Sequence, residues 1–119
     1  RFEDWQTASV GAMKAWTLLI VAGLLEPFWA AMMKRSDGFT RLWPTLATLG
    51  ISTVSFLLLG RAIRTIPIGT GYAVWTGIGA AGTALVGILL FQEGAQPARL
   101  FFIGLILVGM VGLYFNSPR

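Results

Sequence analysis

Four long stretches of this 119-residue chain are almost free of charge, and they decide what it can become. Between Ala15 and Met33 the only charged residue is Glu26. From Leu42 to Gly60, from Ile66 to Gln92 and from Leu100 to Pro118 there is none. Each stretch reaches the roughly 17–25 residues a helix needs to cross a hydrocarbon core. A soluble all-helical protein is the competing reading, but burying four such runs would leave almost no polar surface. Charged residues make up 12% of the chain, against about 25% in an ordinary soluble domain. The expectation is an all-α integral membrane protein with four transmembrane helices per subunit. Only short connectors remain, so there is no room for a soluble domain.

Residues 1–12 are mixed in polarity and precede Met13-Lys14, which looks like a natural start. They lack a signal peptide's order of basic end, apolar run and small-residue cleavage site. They are expected to be an extension outside the fold, with residues 13–119 forming the four-helix domain. The charge pattern predicts helices over Ala15–Met33, from Leu42 or Pro44 to Arg61, over Ile68–Phe91 and over Ala98–Phe115. Pro44 is tolerable in a first helical turn.

There is no cysteine and no histidine, so disulfides, thiolate metal sites and the usual proton shuttle are excluded. No cofactor or metal is expected. No nucleotide loop or hydrolytic triad is present, since Gly77-Ile78-Gly79 lies inside an apolar run. The net charge of +4 sits in connectors and ends, which suits lipid headgroups rather than nucleic acid. Four spans place both termini on one side. From Met13 onward that side holds Lys14, Arg61, Arg64 and Arg119, and the other holds Lys34, Arg35, Arg41 and Arg99. With four against four, charge gives no reason to choose an orientation. Either lipid or insertion kinetics sets one orientation, or both are made and pair into an antiparallel dimer.

Glu26 is the residue that most invites chemistry. A lone carboxyl group at mid-span costs several kcal/mol when charged, so it should face protein or water and mark an ion or substrate path. The alternative is a protonated Glu acting as interhelical hydrogen-bond glue. Ala22, Gly23, Trp29 and Ala30 share its face. Pro27 removes a backbone donor and predicts a local kink beside it. In the second helix Thr45, Thr48, Ser52 and Ser55 form a polar stripe, although such residues commonly bond back to their own helix. In the third, Tyr72, Trp75, Gly79 and Gly82 share a face, where an aromatic pair beside small residues suits a small cation. Gly104, Gly109 and Gly112 give the fourth helix a small-residue surface for close packing, read here as a dimerisation element.

From Met13 to its end the chain resembles the small multidrug resistance transporters, and within them the guanidinium exporters. The resemblance is carried by Gly23-Leu24-Leu25-Glu26 with Trp29-Ala30, by Gly38-Phe39-Thr40-Arg41-Leu42, and by the stretch from Pro67 to Gly79. Pro27 stands where Val or Ile is more frequent, and Gly71 where Ala is. The resemblance implies an antiparallel, dual-topology homodimer in a prokaryotic cytoplasmic membrane. It implies that protons and guanidinium compete for the paired Glu26. Ser55 and Trp29 would hold Glu26, Tyr72 and Trp75 would wall the site, and Gly23, Ser52 and Gly79 would support it. Two other functions fit the same residues. One is a broad exporter of quaternary ammonium cations. The other is a non-transporting membrane subunit in which Glu26 is only glue.

Overall fold

The computed structural model describes residues 2–116, with side chains from Met13 onward. Four helices follow one another: α1 (Phe2–Arg35), α2 (Leu42–Ala62), α3 (Ile68–Leu90) and α4 (Pro97–Phe115). All four are long and apolar enough to cross a membrane, α1 through its segment Met13–Arg35. Even the shortest, the 19-residue α4, extends about 28 Å at roughly 1.5 Å per residue. The helices expected from the charge pattern therefore match those observed to within a residue or two, apart from the start of α1. That helix runs from Phe2 rather than Ala15. It also continues unbroken through Pro27.

Prolines set two of the boundaries. Pro67 is the N-cap of α3, and Pro97 opens α4, where a missing N–H costs nothing. Between α1 and α2, Asp37, Gly38 and Phe39 are left-handed, with φ of 52°, 72° and 67°. Buried Ser36 holds this turn. Its hydroxyl donates to the Met33 carbonyl at 2.6 Å and accepts the Phe39 N–H at 3.0 Å. At the far end of α3, Gln92 is left-handed as well (φ 56°), and the Glu93 N–H returns to the Gly87 carbonyl. Glu93 pairs with Arg99 at 2.5 Å, and Arg35 stacks over the Phe91 ring at 5.5 Å, tying α1 to the end of α3.

α1 is the central element, packed against both α2 and α3, while α4 leans mainly on α3. Ala15, Leu19 and Ala22 recur at helical spacing and bury against Leu59 and Ala62 of α2, Ile66, and Val74 and Trp75 of α3. Small residues make this approach close: a Cβ at Gly23 would stand 2.8 Å from Cβ of Ile78. The outer surface stays apolar, with Phe28, Leu57, Leu89 and Val108 all exposed. Such a surface belongs against lipid or another chain. The subunit is a slab only 18 Å in its thinnest dimension, barely two helices deep. It is too thin to enclose a path of its own.

Candidate functional site

Glu26 comes from the middle of the membrane-crossing part of α1 and lies on α3 at Gly79. A Cβ added to Gly79 would fall onto the Glu26 carboxyl group and 2.8 Å from its Cβ. Only glycine lets the carboxyl group rest against the α3 backbone. Oε2 of Glu26 is buried without a hydrogen-bond partner in the subunit. Trp29, three residues on and so on the same face, buries an indole N–H that also has none. An orphan acceptor and an orphan donor one turn apart are costly, about 1–3 kcal/mol each, and call for a partner. Pro27 adds to this by leaving the Gly23 carbonyl without its usual intrahelical donor.

A second group of residues sits one turn earlier along α1. Ser55 of α2, fully buried, donates its hydroxyl proton to the Ala22 carbonyl at 2.7 Å. Its oxygen accepts the indole N–H of buried Trp75 on α3 at 3.0 Å. One serine thereby ties three helices together. Tyr72 lies against Trp75, ring centroids 5.4 Å apart, yet is itself 56% exposed. It presents its ring at the subunit surface.

The residues singled out from sequence thus fall into three places. Glu26, Gly79 and Trp29 share one, with Gly23 packed on Ile78 just before them. Ser55, Trp75 and Tyr72 share the second. The Ser55 hydroxyl proton is directed to Ala22 rather than to Glu26. Gly104, Gly109 and Gly112 lie apart from both, and a Cβ at any of them would meet nothing within 4 Å. The polar stripe on α2 resolves in two ways. Thr45, Thr48 and Ser52 donate back to Arg41, Pro44 and Leu49 of their own segment, at 2.5, 2.7 and 3.2 Å. Ser55 alone reaches another helix.

Phe56 was not among the expected residues. Its ring stands 5.3 Å from Trp75, extending the aromatic surface from α3 onto α2. The available signal was its position, four residues from Ser52 and beside Ser55, but an aromatic in an apolar run looks like any lipid-facing residue.

Four helices able to cross a membrane, one of them carrying a carboxyl group at mid-span, define a multi-pass membrane protein, and its family and relatives are transporters rather than enzymes. The chain belongs to the Small Multidrug Resistance protein family, whose sequence profile matches residues 14–106. It is 54% identical over 103 residues to the guanidinium exporter of Citrobacter freundii, covering 87% of this chain and 98% of that one. Identity and coverage are the same with the guanidinium exporter of Salmonella typhimurium. With that of Yersinia pseudotuberculosis the identity is 52%, covering 87% of this chain and 99% of that one. It is a multi-pass protein of a prokaryotic inner membrane.

Proposed function

We propose that this chain exports guanidinium in exchange for protons, with cation and proton competing for Glu26. The observation that carries the reading is the buried Oε2 of Glu26 with no partner in the subunit, held at mid-span against Gly79. A carboxylate there accepts hydrogen bonds, and a planar guanidinium ion offers paired donors in a fork that matches its two oxygens. A proton on the same carboxyl group removes the negative charge that holds the cation. The two occupants then exclude each other, and that exclusion is the coupling. Relatives over half identical across nearly their whole length are guanidinium exporters, which favours this cation over bulkier ones.

The transporting unit is an antiparallel homodimer in the lipid bilayer. The 18 Å slab, the exposed Tyr72 ring and the bare glycine face of α4 support a second copy completing the pathway. The balanced charges at the two membrane faces permit either orientation. Alternating access then moves the paired Glu26 between the two sides: protons entering from one side release the cation, and their loss on the other reloads it. Residues 13–119 form the transporting domain, and residues 1–12 are an extension to it.

The test is guanidinium-driven proton release from purified protein, wild type beside Glu26→Gln, near neutral pH. Release by the wild type and none by a folded Glu26→Gln is the expected result. No release from the folded wild type would overturn the reading. Release driven by tetraphenylphosphonium instead would mark a broad quaternary-cation exporter.

A further inference from the structure

Immediately after Glu26, Pro27 is buried, and its ring sits in a notch at Gly82 of α3. A Cβ on Gly82 would stand 2.5 Å from Cγ of Pro27, but 3.6 Å from its Cβ and 3.7 Å from its Cδ. The contact is therefore made by one ring atom. The ring is closed through the backbone nitrogen, so it has no free χ1 rotation, and Cγ can shift only as far as a change of ring pucker carries it. A flexible side chain would yield freely to a change in helix spacing, whereas this one yields little and passes most of it on. Gly79, which receives the Glu26 carboxyl group, lies one turn before Gly82 on the same face of α3. The neighbouring pair on α1 is thus keyed into neighbouring glycines on α3.

We infer that Gly82 and Pro27 are positioning residues for the cation site: the proline ring, seated in the Gly82 notch, fixes the α1–α3 spacing and with it the place of the Glu26 carboxyl group. Neither residue touches the cation. This rests on the reading of Glu26 as the binding carboxylate. A Cβ at position 82 would push the ring, and α1 with it, off α3. The carboxyl group would then lift from Gly79 while the rest of the subunit kept its fold. Truncating Pro27 to Ala removes the clashing atom and keeps the one at an ordinary 3.6 Å. The same Cβ at position 82 would then fit.

The experiment measures guanidinium affinity by ligand-driven proton release for the wild type, Gly82→Ala, Pro27→Ala and the double variant, with thermal unfolding of each in detergent. Gly82→Ala is expected to weaken guanidinium binding about tenfold, the scale of an overpacked contact. In the Pro27→Ala background the same substitution is expected to change affinity less than about twofold, since the atom it meets is gone. Should Gly82→Ala alone fail to fold, the comparison of Pro27→Ala with the double variant decides. Equal loss in both backgrounds, or no loss in either, overturns the inference. Absence of proton release from the wild type is a different result, which rejects Glu26 as the guanidinium site whatever Gly82 does.

Discussion

Trp75 donates its indole N–H to the hydroxyl of Ser55 at 3.0 Å, across the boundary between α3 and α2. The geometry is sequential. Ser55 can accept from Trp75 because its own proton is directed to the Ala22 carbonyl at 2.7 Å. Ala22 lies one turn before Glu26 on the same face of α1. The α2–α3 contact is slight compared with the contacts each makes to α1. Much of what holds those two helices in register at this level is therefore this relay.

Removing the relay should destabilise the subunit in a coupled way. Trp75→Phe keeps the ring against Tyr72 and Phe56 and loses one neutral hydrogen bond, worth about 1 kcal/mol. Ser55→Ala should cost more, about 1–3 kcal/mol, because it leaves the buried Trp75 N–H without an acceptor. Adding Trp75→Phe to Ser55→Ala should then cost little or nothing. Unfolding of the four proteins in one detergent checks this, and strictly additive losses would show that the two side chains act separately.

The turn between α1 and α2 carries a different debt. Asp37 and Phe39 hold left-handed conformations at φ 52° and 67°, each costing roughly 1–3 kcal/mol in a residue with a side chain. Ser36 offsets that through its bonds to Met33 and Phe39, with Thr40 donating to the Ser36 and Asp37 carbonyls. Ser36→Ala should free the turn and raise hydrogen exchange at residues 37–41 by about tenfold or more, the ratio set by losing one buried hydrogen bond. Phe39→Gly in the same chain should restore part of the protection, since glycine adopts that φ without strain. An unchanged exchange pattern in Ser36→Ala would show that the serine does not hold the turn.

How much of this was legible beforehand depends on the interaction. Charge-free runs locate helices because a membrane penalises charge residue by residue, so α2, α3 and α4 were readable almost to their ends. The mid-span position of Glu26 was readable for the same reason. The partner of Ser55 was not. Thr45, Thr48, Ser52 and Ser55 recur at helical period with similar hydroxyls, and only the crossing of α1 over α2 decides which one finds a foreign carbonyl. Pro27 showed a similar limit: its lost N–H is local and readable, while the Gly82 notch that receives its ring exists only once α1 meets α3. Phe56 shows a third, because a ring facing Trp75 and a ring facing lipid have the same sequence signature.

The glycine face of α4 gives the most direct test of a second copy. Gly104, Gly109 and Gly112 have no atom within 4 Å of where a Cβ would stand, and α4 buries little besides Ile103. Replacing any of them by a larger residue meets nothing inside the subunit, and alanine raises helix propensity by about 1 kcal/mol per position. Leucine at Gly109 and Gly112 should therefore leave a single subunit folded. If these glycines face a partner helix, the same pair of substitutions separates the backbones that small residues bring together, and association should fall at least about tenfold, or roughly 1.4 kcal/mol. Cross-linking across a protein-to-detergent dilution series, with circular dichroism as the check on folding, reads the two effects apart. A folded double variant that dimerises as tightly as wild type would move the dimer contact off this face of α4.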